Sequence, residues 1–280
     1  MDKYVVAVSG GVDSVVLLDL LSHQPGFDNS KFIVAHFDHG IRPDSANDAI
    51  FVADLAKKYN LLFELKREEL GPNCSENTAR TRRYEFLRSV AKKYNARLIT
   101  AHHADDIIET IAINLHRGTG WRGLAAMDSD VIRPVKDVMK SEILAYANHH
   151  KLIWHEDSTN ASDNYLRNRI RHNTMKLDED TKRQLLGLWA EQKSLKKIIN
   201  KEVARLIGKG PTYSRYFFIH IDNSTALECL RYAVRARLTR PQLTKMLHAI
   251  KTSLPKKTYE AGDGIIVSFT ARNFTVELLK

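Results

Sequence analysis

The chain has 280 residues, of which 43% are hydrophobic and 27% charged, and its formal net charge is +10. This length suits two compact domains, and this apolar content argues against a largely disordered chain. No apolar run reaches the ~20 residues that a membrane span needs. Met1 to Lys3 lead directly into a predicted strand, which argues against a signal peptide. We therefore expect a cytoplasmic protein with no membrane partner.

The first predicted strand leads into a turn rich in glycine. Tyr4 to Val8 is an apolar run typical of a strand buried on both faces of a parallel sheet. Ser9-Gly10-Gly11-Val12-Asp13-Ser14 follows, and Val15 to Leu21 continues as a helix. Paired glycines allow a tight turn whose N–H groups, together with the helix dipole, form an anion site. An ordinary capped turn is the alternative, but the complete string placed directly after the first strand favours phosphate binding.

Strands and helices alternate through the first half of the chain. Periodicity predicts strands near 31–36, 61–65 and 97–101, and helices near 44–59, 77–94 and 105–116. This alternation predicts an α/β domain with a doubly wound parallel sheet, whose ligands bind at the carboxyl ends of the strands. The polar groups expected to converge there are Ser9–Ser14, His36–His39 and His102–His103.

The second half is more helical at first and then mixed. We predict a helix near 140–150, a short strand over Leu152–Trp154, and a long helix near 181–207. Helices near 226–238 and 241–251 and strands near 264–269 and 274–278 complete a small α/β domain. The predicted domains are a catalytic domain over 1–175, a helical linker over 176–208 and a small C-terminal domain over 209–280.

The excess positive charge lies entirely in the last third of the chain. Residues 1–175 contain 23 Lys and Arg and 23 Asp and Glu, whereas residues 176–280 contain 20 against 10, a difference of +10. A neutral catalytic domain joined to a basic domain that holds a polyanion is one interpretation. A lysine-rich solvated surface is the other.

Cysteine usage limits the chemistry. Cys74 and Cys229 are isolated and far apart, which fits a reducing compartment. They exclude a metal or iron–sulfur cluster built from the cysteines of this chain alone.

A histidine and two carboxylates follow the fourth predicted strand. His102 ends the strand, and Asp106 and Glu109 are three residues apart on the next helix, so they share a face. Such a set could hold magnesium or a lysine amine, or act as acid and base. Acidic residues are also common at helix N-termini because the dipole favours them, and we prefer that interpretation for Asp105.

Two arginine clusters complete the candidates. Arg80 and Tyr84 are four residues apart on one helix face, where an arginine fork could hold phosphates. A solvated face is the alternative, and for the neighbouring Arg83 the two interpretations are evenly matched. Arg167 and Arg171, with Asn168 beside them, suit an RNA backbone or a flipped base; surface charge is again the alternative.

The glycine-rich string is not a Walker A loop, since no Gly-Lys-Ser/Thr follows. It resembles the PP-loop of ATP pyrophosphatases, which split ATP between the α and β phosphates. Further strings extend the resemblance to one branch, the tRNA(Ile)-lysidine synthases, over roughly Tyr4 to His172. They are His36–Arg42, Glu76–Tyr84, His102–Thr110, Arg117–Leu124, Arg133-Pro134, Glu156–Asn160 and Arg167–Arg171. The chain is short for this family, some of whose members carry a further C-terminal domain.

The resemblance implies a two-step reaction at the wobble cytidine of an isoleucine tRNA with a CAU anticodon. The cytosine O2 attacks the α-phosphate of ATP, releasing pyrophosphate, and free L-lysine then displaces AMP at C2 to form lysidine. ATP would be the co-substrate and Mg²⁺ the metal. Whether the protein forms a homodimer is left open by the sequence.

The resemblance also assigns roles to individual residues. Ser9, Gly10, Gly11, Val12, Asp13 and Ser14 would hold the pyrophosphate portion, and Asp13 and Asp106 would work with magnesium. Ala35 and His36 would offer backbone groups to adenine. Arg80 would neutralise phosphate charge, and His102, Asp106 and Glu109 would line the cytosine and lysine subsite. Expected tRNA contacts are Arg167, Asn168, Arg171, Arg231, Arg235, Arg237 and Arg240.

Three rival functions share some of these sequence features. A tRNA thiolase of the two-thiocytidine type would be expected to carry a Cys-x-x-Cys pair, which is absent here. A glutamine-dependent synthetase would need a glutaminase-like cysteine constellation, and none is evident. A non-catalytic nucleotide- or RNA-binding module is disfavoured because the carboxylates would repel ATP unless a metal or a cationic substrate lies beside them.

Overall fold

The computed structural model describes residues 2–40, 45–71, 74–155, 166–208 and 210–279. The chain forms two compact units, Met1–Lys193 and Ser194–Lys280. The predicted three-part division at 175 and 208 stays a prediction. No helix within the described ranges is long and apolar enough to cross a membrane.

The first unit is built on a parallel four-stranded sheet. Its strands are β1 (Lys3–Ala7), β2 (Phe32–Asp38), β3 (Leu62–Arg67) and β4 (Ala96–Ile99), in the order β3-β2-β1-β4. All three pairings are parallel, with Val5 opposite both Ile33 and Leu98. The predicted α/β class and parallel sheet are confirmed.

Seven helices accompany this sheet among the described residues, and an eighth begins in the same unit. They are α1 (Val12–Ser22), α2 (Ser45–Lys58), α3 (Glu76–Lys93), α4 (Ala104–His116), α5 (Trp121–Leu124), α6 (Lys140–His149), α7 (Leu166–Thr174) and α8 (Glu179–Ile207). A single turn of 3₁₀ helix spans Asn29–Lys31.

Helices cover both faces of the sheet because successive strand residues point to opposite sides. Val6 packs with Leu17 of α1 and Val52 of α2. Its neighbour Val5 packs on the other side with Leu87 of α3. Burial on both faces explains the uninterrupted apolar sequence of β1.

The strand order creates a switch point between β1 and β4. From β1 the chain proceeds outward to β2 and β3, and then returns through α3 to place β4 on the other side of β1. In such sheets the ligand crevice lies outside the carboxyl ends of the two strands that flank the reversal. The turn after β1 and the residues after β4 therefore meet at this crevice.

The second unit contains an antiparallel four-stranded sheet with three short helices. The strands are β5 (Thr212–Ser214), β6 (Thr258–Gly262), β7 (Ile265–Phe269) and β8 (Asn273–Leu278), in the order β5-β8-β7-β6. The helices are α9 (Arg215–His220), α10 (Asn223–Ala233) and α11 (Arg240–Thr252). Phe218, Leu243 and Phe274 are among the side chains fully buried in its core.

One predicted element is wrong, and five helices or strands were missed. Leu152–Trp154 forms no strand: Leu152 N–H bonds the α6 carbonyl of Ala147, and Leu152 and Trp154 pack against α1 and α6. These alternating apolar residues therefore pack against helices without forming the hydrogen-bond ladder of a sheet. The missed elements are α5, α7, β5, α9 and β6, which are short and carry polar or charged residues that weaken the periodic signal.

Candidate active site

The turn after β1 forms a compact loop, here called the glycine loop (Ser9–Ser14). Gly10 has φ +93°, a conformation that favours glycine, and α1 begins two residues later. The Ser14 hydroxyl donates to the Gly11 carbonyl at 2.8 Å and accepts from the Ser9 N–H at 3.2 Å. The loop therefore folds back on the N-terminus of α1, where the helix dipole favours an anion.

A residue far along the chain holds the glycine loop from outside. The N–H of His155 donates to the Gly10 carbonyl at 3.0 Å. Its ring stacks on Phe51 at 4.3 Å between centroids, and its Nδ1 lies 2.7 Å from Asp48 Oδ1. Sequence reasoning missed this anchor because the contacts cross more than 100 positions.

Ala35 and His36 lie at the end of β2, beside the glycine loop. The Ala35 carbonyl accepts the Val8 N–H at 3.0 Å, and His36 Nδ1 donates to the Val8 carbonyl at 2.8 Å. Burial lowers the pKa of His36 and keeps the ring neutral. These bonds fix β2 against the strand that enters the loop. The proposed adenine contacts of Ala35 and His36 stay a prediction.

Three aspartates surround His103 at the switch point. His103 Nε2 lies 3.6 Å from both Asp13 Oδ1 and Asp106 Oδ2, and its Nδ1 lies 3.7 Å from Asp105 Oδ2. Lys140 Nζ lies 2.5 Å from Asp13 Oδ1. We call Asp13, Asp105, Asp106 and Glu109 the acid cluster. The glycine loop and the start of α4 thus meet as the sheet topology requires.

Asp105 has a structural role, in line with the interpretation preferred from sequence. One carboxylate oxygen accepts the Lys140 N–H at 2.7 Å, and the other lies 2.9 Å from Lys182 Nζ. Burial raises the pKa of Asp105, but these two bonds and the positive charge lower it by more. Asp105 therefore joins α4 to the starts of α6 and α8.

Asp106 is a largely buried anion whose side chain is 16% exposed. Its Oδ2 accepts the His103 N–H at 2.9 Å, closing the first turn of α4. Burial raises its pKa, whereas His103, His102 and that backbone bond together bring it below the usual range. Within the described ranges, no Lys or Arg forms an ion pair with this carboxylate.

Glu109 is held between two arginines of α7. Its side chain is 3% exposed; Arg171 Nε lies 2.8 Å from Oε2, and Arg167 Nε contacts Oε1. Arg167 also reaches Glu76 Oε1 at 3.2 Å. The structure therefore brings the predicted carboxylate and two predicted RNA-binding arginines into one ion-pair network. The side chain of Asn168 lies outside the described part of the structure.

The predicted pairing of Arg80 with Tyr84 is present in the geometry. The guanidinium carbon of Arg80 lies 5.1 Å from the Tyr84 ring centroid, and that of Arg83 lies 5.8 Å from it. Both arginines are half-buried. An aromatic ring with two arginines beside it offers stacking and positive charge on one helix face.

His102 faces this positive charge as a neutral ring. Its Nδ1 lies 2.7 Å from the Thr100 hydroxyl. Burial lowers the pKa of His102 to about 4; Asp106 opposes the shift, and Arg133 and the two arginines of α3 add to it. At neutral pH the ring can accept or donate a hydrogen bond, but it does not carry charge.

The site residues fit a magnesium ion held jointly with phosphates. Among the described residues no group of three or more His, Cys, Asp or Glu side chains is arranged to hold a metal alone. Magnesium commonly binds through one or two carboxylates and substrate phosphates. Asp13 and Asp106, whose oxygens approach the same His103 nitrogen, supply such hard ligands beside the glycine loop.

The arginines expected to bind tRNA in the second unit gather where α10 turns into α11. We call Arg231, Arg235, Arg237 and Arg240 the arginine corner. Arg231 is half-buried and the other three are exposed. Arg235 and Ala236 have φ values of 52° and 58°, a left-handed pair that reverses the chain between the helices.

Two sequence strings of the resemblance fall partly or wholly outside the described residues. They are the Ile41-Arg42 end of the second string and the segment from Glu156 to Asn160. Sequence reasoning also assigned no role to Lys140 and Lys182, which both contact the acid cluster.

The chain is similar in sequence and in fold to known proteins. Residues 1–178 match the protein family described as the PP-loop domain, ATP_bind_3. The chain is 30% identical to the tRNA(Ile)-lysidine synthase of Thermosipho africanus, over 96% of this chain and 67% of that protein. It is 30% identical to that of Enterococcus faecalis, over 88% and 59%, and 38% identical to that of Mycoplasma mycoides, over 60% and 44%. The chain thus spans 44–67% of the length of these relatives.

Among solved structures, the U34-tRNA thiolase NcsA of Methanococcus maripaludis, with its [4Fe-4S] cluster, has a similar fold. The TM-score is 0.57 at 18% identity, with 69% of this chain and 71% of that chain covered. This likeness concerns the fold alone.

Proposed function

The chain belongs to the tRNA(Ile)-lysidine synthase family of PP-loop proteins, and we propose that it ligates free L-lysine to the wobble cytidine of an isoleucine tRNA with a CAU anticodon. The observation that carries this proposal is the contact of His103 with both Asp13 of the glycine loop and Asp106 of α4 across the β1–β4 switch point. A nucleotide site at the glycine loop would then lie beside a site for a cationic amine at Asp106.

The first step is adenylation of the base. The cytosine O2 attacks the α-phosphorus of ATP, the bond to the bridging α–β oxygen breaks, and pyrophosphate leaves. The glycine loop, at the positive end of α1, would hold the pyrophosphate portion. Arg80, on the α3 face beside His102, would offset the charge that develops on the transferred phosphate.

The second step joins lysine to the activated base. The ε-ammonium group first releases a proton to solvent, the resulting amine attacks C2, the C2–O bond to AMP breaks, and the attacking nitrogen releases a second proton to solvent. Asp106 suits the task of binding the ε-ammonium group, because it is largely buried and anionic and has no Lys or Arg ion-pair partner among the described residues. Neutral His102 would orient the cytosine through a hydrogen bond.

Glu109 receives a modified role in this proposal. Because its charge is balanced by Arg167 and Arg171, it would position these arginines at the cytosine subsite. During the first step, magnesium held by Asp13 and Asp106 would neutralise phosphate charge, and in the second step Asp106 would bind the ε-ammonium group instead. The arginine corner would contact the tRNA backbone as exposed positive charge.

Product analysis with omission controls tests the proposal. Purified protein is incubated with Mg·ATP, L-lysine and a transcript of the isoleucine tRNA, and AMP and pyrophosphate are measured. Release of pyrophosphate should require the tRNA, and release of AMP should require lysine as well. A folded protein that binds ATP but yields neither product with all substrates present would favour the binding-module alternative. Light scattering on the purified protein determines whether it forms the homodimer that the sequence leaves open.

A further inference from the structure

Lys140 occupies an unusual position at the start of α6. It is the first residue of the helix, where the dipole disfavours a positive charge. Its ammonium nevertheless points to the glycine loop, with Nζ 2.5 Å from Asp13 Oδ1. A cation at this end of a helix needs an anionic partner, and the partner here belongs to the candidate ATP site.

The glycine loop has no cation of its own. Its only charged residue is Asp13, so a triphosphate placed at the N-terminus of α1 would meet a like charge. In Walker A loops a lysine within the loop reaches the β and γ phosphates. The corresponding charge must come here from another element.

The fold places Lys140 to supply that charge. Ile143 and Ala147 of α6 are buried against Val12 and Val16 of α1, so the two helices pack directly. The N–H of Lys140 donates to Asp105 at 2.7 Å, which fixes the start of α6. The ammonium is therefore held at the glycine loop by backbone and core contacts as well as by Asp13.

Two other cationic side chains near the acid cluster form ion pairs with carboxylates other than Asp13. Lys182 pairs with Asp105 at 2.9 Å and its side chain is 10% exposed, whereas Arg171 pairs with Glu109. The side chain of Lys140 is 32% exposed and can be reached by a ligand. Of the described lysines and arginines, Lys140 is the one that contacts Asp13.

We propose that Lys140 binds the pyrophosphate portion of ATP, exchanging its Asp13 partner for phosphate oxygens when the nucleotide enters. The exchange would leave the Asp13 carboxylate available to magnesium at the same moment. This inference rests on the proposed use of ATP and adds a phosphate-binding residue that lies outside the glycine loop.

Calorimetric titration with an ATP analogue carrying a methylene group between the α and β phosphorus atoms provides the first test. Lys140→Met keeps the aliphatic stem and removes the charge, and it should weaken binding about ten- to hundredfold. Lys140→Arg should recover part of the loss. Lys136→Met is the matched control: the Lys136 side chain is 42% exposed and pairs with Asp137, so binding should be unchanged. Wild-type affinity in a folded Lys140→Met protein would overturn the proposal.

A second titration separates phosphate binding from mere neutralisation of Asp13. Metal-free pyrophosphate in EDTA is titrated into Asp13→Asn and into the double variant Asp13→Asn/Lys140→Met. Loss of affinity in the double variant relative to Asp13→Asn supports direct contact with phosphate. Equal affinities would mean that Lys140 only balances Asp13, and the inference would fail.

The two proposals can fail separately in these experiments. If wild-type protein modifies tRNA but Lys140→Met binds the analogue normally, the role of Lys140 alone is wrong. If Lys140→Met loses analogue binding but the wild-type protein modifies no tRNA, the proposed reaction is wrong and the nucleotide contact stands.

Discussion

The acid cluster of the first unit and the arginine corner of the second unit place their charges in opposite ways. Glu109 is almost fully buried and its two arginine partners come from one helix, while Asp105 is fixed by bonds to α6 and α8. Three of the four corner arginines are exposed. Their side chains are available to a large anionic partner.

This difference in burial bears on the functions that we expect for the two regions. Buried ion pairs cost desolvation energy, and their value lies in the fixed positions of the groups. Exposed charges act through a field that salt screens within about 10 Å at 0.1 M. We therefore expect the acid cluster to control turnover and the arginine corner to control tRNA affinity.

The largest effects should come from the acid cluster. Asp106→Asn keeps the shape of the side chain but removes its charge, so lysidine formation should fall by at least about a hundredfold. Glu109→Gln should lose comparable activity and also about 3 kcal/mol of unfolding free energy, because it breaks two pairs at a buried carboxylate. Steady-state assays and urea denaturation measure both quantities. Asp130→Asn, at an exposed pair with Arg88, is the control. Full activity in Asp106→Asn would remove Asp106 from the mechanism.

Substitutions in the arginine corner should change tRNA affinity and not turnover. Replacing Arg235, Arg237 and Arg240 by Ala should weaken tRNA binding while turnover at saturating tRNA is retained. Each lost phosphate contact should reduce the slope of log affinity against log salt by about 1. Filter binding at several salt concentrations measures the slope. The control replaces Lys256, Lys257 and Arg272 by Ala and so removes the same amount of positive charge near the antiparallel sheet. An equal change of slope in this control would mean that net charge alone is responsible.

The pH dependence of the unfolding free energy tests the burial of His102 in the first unit. Its pKa is about 4 in the folded protein and near 6.5 when unfolded, so the unfolded chain binds the proton more readily between these values. His102 thus contributes nothing above pH 6.5 and destabilises the fold as pH falls toward 4.

Urea denaturation at pH 7.5 and pH 5 measures this effect. Compared with His102→Gln, the wild type should lose about 1 to 2 kcal/mol on going to pH 5. His116→Gln, at an exposed position at the end of α4, should show the same pH response as the wild type. An equal pH response of wild type and His102→Gln would contradict the assigned neutral ring.

The smallest effect concerns a buried charge away from the acid cluster. Asp19 accepts hydrogen bonds from Tyr59 at 2.6 Å and Tyr146 at 2.8 Å. Tyr146→Phe should cost about 1 kcal/mol of unfolding free energy and leave tRNA modification unchanged. Reduced turnover at unchanged stability would extend the functional site to this part of α1.

Much of the first unit could be predicted because its signals are local. The apolar runs of β1 and β2 reflect burial on both faces, and the glycine loop follows β1 without interruption. The polar ends of β1 and β4 then meet through the simple rule that carboxyl ends of neighbouring parallel strands lie together.

The missed features depend on distant partners. Lys140 and Asp13 are 127 positions apart, and no periodicity links them. The one local hint was a lysine at the start of a helix, where the dipole favours acids. The strand predicted over Leu152–Trp154 is wrong because a local apolar alternation also fits side chains that pack against α1 and α6 outside a sheet.

The central claim is most directly tested by following radiolabelled lysine into RNA. Protein, Mg·ATP and labelled lysine are incubated with an isoleucine tRNA transcript carrying a CAU anticodon, and in parallel with the methionine tRNA that has the same anticodon. We expect label in the isoleucine tRNA alone, located at the wobble nucleotide after digestion. Folded, ATP-binding protein that leaves the isoleucine tRNA unlabelled would contradict this claim.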